Sequence, residues 1–149
     1  MKYSKITFVQ AFNAMRIFFQ MQYDTTHADS IGTLCGDFNL WKDKPDWKEN
    51  PDTFDPSAWQ DWMNGVNKLI HDTNANQDPK KMLLNEETAF SCMQNCLQFF
   101  YNHTPWEDID ALLNKIKHTQ HIHSDPIWQE WLQAVGHAIN GTYELDVYS

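Results

Sequence analysis

The sequence predicts an all-α fold: six helices in a single domain, built as two tandem three-helix repeats related by an approximate internal two-fold axis. Three observations predict it. Residues 11–35 (AFNAMRIFFQMQYDTTHADSIGTLC) align without a gap to residues 89–113 (AFSCMQNCLQFFYNHTPWEDIDALL), with identities at Ala11/Ala89, Phe12/Phe90, Met15/Met93, Gln20/Gln98, Tyr23/Tyr101, Thr26/Thr104, Ile31/Ile109 and Leu34/Leu112. After a connection shorter in the second copy, 59–70 (WQDWMNGVNKLI) align with 128–139 (WQEWLQAVGHAI), matching Trp59/Trp128 and Trp62/Trp131. Two pairs of a rare residue at one spacing are hard to obtain by chance. Finally, the 6 Pro fall between or at the starts of periodic stretches and only 5 Gly are present, as long helices require.

The first helix of copy one starts at Thr7, whose hydroxyl can cap free N–H groups, with Gln10 placed to close a capping box; Asn85 takes that place in copy two. Phe8, Ala11, Phe12, Met15, Phe18, Phe19 and Gln22 form a stripe at i, i+3, i+4, i+7, repeated by Phe90, Met93, Cys96, Leu97 and Phe100. The second helix is expected to open on capping boxes, Thr26-x-x-Asp29 and Thr104-Pro-Trp-Glu107, with an acid at the positive end of the helix dipole. Its inner face reads Ile31, Leu34, Cys35, Phe38, then Ile109, Leu112, Leu113, Ile116. The third helix starts near Asp55-Pro56 or Asp125-Pro126 and buries Trp59, Trp62, Met63, Val66 and Ile70, or Trp128, Trp131, Leu132, Val135 and Ile139; Asn140-Gly141 stops the last one. Repeat one thus spans about 5–72, a linker about 73–84, repeat two about 85–141, and a tail 142–149. Three such helices cannot enclose a large core alone; two sets facing one another can.

Composition narrows the function. With 42% apolar residues the chain is too hydrophobic to be disordered, and no run of about 18 apolar residues is present to span a bilayer. Two lysines near the N-terminus are followed by an apolar stretch that Gln10, Asn13 and Arg16 interrupt. A secretory signal is therefore not expected, and a cytoplasmic location is. Cys35, Cys92 and Cys96 are an odd number without framework spacing, which suits reduced thiols. The net charge of −9 makes nucleic acid a poor partner and a basic protein a good one, because opposite fields accelerate encounter.

Enzyme motifs are lacking: no Gly-x-Gly-x-x-Gly, phosphate loop, Gly-x-Ser-x-Gly or His-Glu-x-x-His occurs. Glu86-Glu87 and Glu107-Asp108-Asp110 could be paired acids, yet their places in first helical turns already account for them. His118, His121 and His123 could share a metal with suitable geometry, but no paired ligand spacing supports zinc, and Cys92 and Cys96 replace Ala14 and Phe18 as core fillers. No cofactor and no metal are expected. The insertion unique to copy one, 42–54, is charged, carries two prolines and sets Trp47 in a loop, where recognition commonly resides.

One pattern adds to this reading: Phe8-x-x-Ala11-x-x-Ala14-Met15-x-x-Phe18, Tyr23-x-x-Thr26, Asp29-x-Ile31-Gly32-x-Leu34-x-x-Asp37, and Asp55-Pro56-x-x-Trp59-x-x-Trp62. It resembles small helical immunity proteins encoded beside bacterial polymorphic toxins, including contact-dependent inhibition and Rhs-type systems. Copy one carries it well; in copy two Asp110 replaces Gly32 and Lys115 replaces Asp37. The resemblance implies an inhibitor that binds one cognate toxin domain and occludes its active site; the acidic balance adds the expectation of a basic domain such as a nuclease, the missing motifs that of no enzyme activity, and a monomer or weak homodimer is expected. The acids expected to meet it are Asp29, Asp37, Glu107, Asp108 and Asp110, together with Asp43, Asp46, Glu49, Asp52 and the anchor Trp47 of the insertion. The alternatives are a helical interaction module with no toxin partner, which would use a Trp-rich apolar surface, and a metal-binding enzyme built on the histidine cluster.

Overall fold

The computed structural model describes residues 3–41, 45–46, 51–73, 77–145 and 147–148. Among them are six helices, α1 (Phe8–Thr26), α2 (Asp29–Asp37), α3 (Pro56–Asp72), α4 (Glu86–His103), α5 (Glu107–Lys117) and α6 (Pro126–Asn140). Short strands β1 (Ile6–Thr7), β2 (Leu40–Trp41), β3 (Leu83–Leu84) and β4 (Val147–Tyr148) accompany them. The chain is mostly helical, as the periodicity predicts; the strands are too short to leave a period-two signal.

Local chemistry sets the helix ends. Thr7 Oγ1 accepts the Gln10 N–H at 3.1 Å while Gln10 Oε1 accepts that of Thr7 at 2.9 Å, a complete capping box. Asn85 Oδ1 accepts the Thr88 N–H at 2.8 Å, and Thr88 Oγ1 returns the bond to Asn85 at 3.0 Å. Asp55 caps Ser57 and Asp125 caps Ile127, each at 3.0 Å and each followed by a proline in the first turn. Gly141 closes α6 in the left-handed conformation at φ 63°.

The two second helices differ from expectation. α2 and α5 begin at Asp29 and Glu107, with Ala28 and Trp106 as N-caps, and neither has a side-chain cap. The threonines belong instead to the preceding helices. Thr26 closes α1 and donates to Gln22 O at 2.9 Å; Thr104 is the C-cap of α4 and lies against His103 Nδ1 at 2.9 Å. Thr26 Oγ1 also accepts the Ala28 N–H at 3.3 Å, but each threonine stands two residues before the N-cap of the following helix, so the forward boxes do not form.

Packing follows the apolar stripes. α3 lies along α4 and α6 along α1, while α1 meets α4 and α2 meets α5. Phe12 sits with its ring centroid 5.1 Å from Trp59 and 5.6 Å from Trp62. Phe90 stands 5.4 Å from Trp128 and 5.6 Å from Trp131. Trp62, Trp131, Phe18, Phe19 and Phe100 are fully buried around these groups, and large aromatics of this kind dominate core energetics. α3 approaches α4 backbone to backbone: a Cβ at Gly65 would lie 2.7 Å from Cys96 N and 2.9 Å from Cys92 O. Cys92 and Cys96, both fully buried, lie on α4 at this seam. Burial pushes Cys92 up to about 12 and raises Cys96 as well, so both stay protonated thiols. Polar ties span the same seams, His103 Nε2 to Asp61 Oδ2 at 2.6 Å between α4 and α3, and Gln22 Nε2 to Glu130 between α1 and α6.

The connection before α4 is anchored. A 3-10 turn at Pro79–Lys81 leads into β3, whose Leu84 is buried beside Met82. β3 runs antiparallel to β1, pairing Ile6 with Leu84 and Thr7 with Leu83. At the other end the tail crosses α1 and β4 pairs in parallel with β2, Leu40 opposite Val147 and Trp41 opposite Tyr148. Thr53 bridges Leu40, which ties the far end of the insertion to its root.

Candidate functional site

The packing of α2 on α5 sets their first turns together. Ser30 Oγ donates to Asp108 Oδ2 at 2.9 Å across that contact. Asp29, Glu107, Asp108 and Asp110 are all exposed there, in first turns where the helix dipole favours negative charge. Beside them Trp106 remains 43% exposed, an apolar face in an acidic setting, and Trp is favoured where partners anchor.

Asp37 is elsewhere. It ends α2, about 12 Å along the axis from Asp29 at 1.5 Å per residue, and its carbonyl accepts the Asp55 N–H at 3.2 Å. Burial raises its carboxyl above the ordinary range, Asp55 adds to this, and His103 opposes it. Asp37 thus joins a second group with Asp55, Asp61 and His103. Within that group burial raises Asp61, against the hydrogen bond and charge of His103. His103 is held between Asp61 and Thr104, so its imidazole ties the end of α4 to α3.

Of the insertion, Asp46 and Asp52 are exposed, and the Asp52 carbonyl accepts the Trp41 N–H at 2.9 Å. Asp43, Trp47 and Glu49 lie outside the described residues.

The histidines expected as a cluster each have a separate partner. His118 Nδ1 lies 2.7 Å from Asn114 O, His121 stacks on Trp128 at 4.6 Å, and His123 Nδ1 lies 3.0 Å from Gln129 Nε2. Among the described residues no group of three His, Cys, Asp or Glu side chains is arranged to hold a metal ion, and no helix is long and apolar enough to cross a membrane.

Comparison with known proteins leaves the chain on its own evidence. No family model, curated protein or solved structure matches it.

Sequence reasoning missed a concavity beside α2. A cavity of about 570 Å³ opens between the second half of α1 and α2, with Leu145 of the tail on its wall. Asp29, Gly32, Thr33 and Gly36 line it from α2, one stripe at i, i+3, i+4, i+7. Tyr23 gives it a partly exposed ring, with the fully buried Phe19 and Phe38 behind the wall. Arg16, buried in the α1 stripe, gives Nε to Phe38 O at 3.0 Å and a terminal N–H to Asn39 Oδ1 at 3.3 Å. Burial lowers Arg16 to about 10, which leaves it charged at neutral pH. Cys35 in the same wall is pushed up to about 12 by burial and by Asp24. Two glycines four residues apart inside a helix were the available signal, since each costs helix stability and calls for a reason.

Proposed function

We propose that this chain is an immunity protein, a cytoplasmic, stoichiometric inhibitor that binds a basic toxin domain and blocks access to its active site without catalysis of its own. The observation that carries the reading is the meeting of α2 and α5, which gathers Asp29, Glu107, Asp108 and Asp110 beside the exposed Trp106 on a body of net charge −9. An anchor residue ringed by charges of one sign suits a partner of opposite sign, with the charges steering encounter and the aromatic slowing release. The resemblance of copy one to toxin-immunity proteins points the same way.

The scaffold behind that face is, in this reading, a duplicated three-helix unit with approximate two-fold symmetry. Equivalent residues pair across the supposed axis: Ile6 faces Leu84, and Ser30 bonds Asp108. Phe12 with Trp59 and Trp62 repeats in Phe90 with Trp128 and Trp131. The third helix of each half lies on the first helix of the other, so neither half would enclose its core alone. A rigid body of this kind holds its surface charges in register at little entropic cost on binding.

The test is protection. Co-expression of the chain with the toxin domain encoded in the neighbouring reading frame should rescue growth. The triple variant Asp29→Lys/Glu107→Lys/Asp110→Lys, all exposed positions, should fold with unchanged circular dichroism and lose protection. Full protection by that variant would remove the α2/α5 face from the account, and failure of the wild-type chain to protect would remove the inhibitor reading.

A further inference from the structure

The turn that carries Trp106 differs from its counterpart in copy one at two places, and hydrogen bonds join the two. Trp106 stands where copy one has Ala28, and His103 where it has Thr25. Thr25 turns its hydroxyl back to Met21 O of its own helix at 3.1 Å. His103 instead reaches across to α3, with Nε2 2.6 Å from Asp61 Oδ2 and Nδ1 2.9 Å from Thr104 Oγ1. The Trp106 N–H then donates to the carbonyl of that same Thr104 at 2.8 Å. The third helix of each half carries an acid that is met from the other half, but at different heights. Glu130, the counterpart of Asp61, is met by Gln22, one turn before α1 ends. His103 is the last residue of α4, so its bond to Asp61 sits at the root of the turn itself.

We propose that His103 is the positioning residue of the partner face: clasped to Asp61, it fixes the turn 103–106 that presents Trp106, and holds it more tightly when its ring is charged. A neutral imidazole has one donor and one acceptor, so Nε2–H donates to Asp61 while Nδ1 accepts from the Thr104 hydroxyl. A charged ring donates from both nitrogens, which strengthens the bond to the carboxylate and turns the Thr104 hydroxyl round. Asp61 is buried whereas His103 is exposed, so the ring takes protons from solvent while its partner stays fixed. The ionisable groups around the ring are Asp61 and Asp55 of α3 and its cap and Asp37 at the end of α2, with the Cys96 thiol of α4 beside Asp61. The thiol stays neutral, so a charge on the ring meets only charges of opposite sign. The clasp and the exposed tryptophan occur in copy two alone, and together.

The inference rests on the inhibitor reading for what Trp106 meets, but its test does not use the toxin. Hydrogen exchange of the Trp106 amide is followed by NMR in the full chain, with the His103 ring resonances recorded at each pH. In the wild type, protection of that amide should rise by about threefold or more as His103 gains its proton, and the two curves should share a midpoint. His103→Ala should speed the exchange by about tenfold and abolish the step. His103→Gln, whose amide can donate to Asp61 as Gln22 does to Glu130, should restore most of the protection but no step. Thr104→Val, which removes the hydroxyl and keeps the shape, should leave the His103 titration in place and lose the step at Trp106. Should His103→Ala not fold, the other two variants carry the test. A Trp106 amide indifferent to the charge on His103, or a step that survives in His103→Gln, overturns the proposal. If that happens while a toxin domain is still neutralised, the clasp is wrong and the inhibitor reading stands. If the amide behaves as expected and no toxin domain is neutralised, the clasp holds and the inhibitor reading falls.

Discussion

The same substitution, glycine to alanine, should have opposite signs at two positions of this protein. At Gly65 the added Cβ would lie 2.7 Å from Cys96 N, 2.9 Å from Cys92 O and 3.1 Å from Cys96 Cα. These are backbone atoms of α4, which cannot swing aside as a side-chain tip can, so α3 and α4 must separate along their seam. Overpacking costs about 1–3 kcal/mol, and backbone clashes belong at the upper end, about 3. Helix preference for alanine returns about 1 kcal/mol. The net loss for Gly65→Ala is about 2 kcal/mol, which for a chain of this size lowers Tm by about 4–8 °C. At Gly36 the Cβ meets nothing, so only the helix term and the reduced freedom of the unfolded chain remain, and Gly36→Ala should stabilise by about 0.5–1 kcal/mol. Urea unfolding of the two variants beside the wild type decides the matter. A Gly65→Ala protein as stable as the wild type would show that α3 and α4 do not approach as described.

Two other outcomes follow from buried polar groups. Asp61 is raised above the ordinary aspartate value of 3.8, chiefly by burial, so the folded chain holds that proton to higher pH than the unfolded chain does. Its contribution to stability is complete below 3.8 and is lost as pH rises through the folded value. Asp61→Asn keeps an oxygen to accept from His103 and has no proton to lose. Relative to the wild type it should therefore gain stability as pH rises above 3.8, and a constant difference in urea midpoints would contradict this. The two fully buried indoles differ as well: Trp131 Nε1 donates to Glu86 O at 3.0 Å, while Trp62 Nε1 meets no partner among the described residues. Trp131→Phe should cost about 1 kcal/mol more than Trp62→Phe. Equal losses would mean that Trp62 is satisfied in solution.

The helices were legible because their signals are local and redundant. The Thr7–Gln10 box, the Asp-Pro starts of α3 and α6, and the glycine after α6 all act within a few residues, and the structure places each as read. The stripe through Phe8, Ala11, Phe12, Met15, Phe18, Phe19 and Gln22 is buried throughout. The starts of α2 and α5 were misread because a threonine between two helices can bond in either direction, and the sequence does not say that Thr26 turns back to Gln22. The partners of the third helices were not legible at all. Whether α3 lies on α1 or on α4 depends on close approaches such as Gly65 against Cys92 and Cys96, which are matters of shape rather than period. Of the acids, Asp108 meets Ser30 of α2, since α2 and α5 pack together. Asp37 departs because nine residues of helix carry it to the far end. The cavity went unseen because it is defined by side chains that are missing, at Gly32 and Gly36, and by a tail residue, Leu145, remote in sequence.

The most direct test of the proposed inhibitor role is a calorimetric titration of this chain with any toxin domain found in the neighbouring reading frame, at ionic strengths of about 0.05 M and about 0.5 M. A negatively charged inhibitor of a basic enzyme should bind one to one, with Kd rising by about tenfold or more at the higher salt. Absence of binding, or an affinity indifferent to salt, would contradict it.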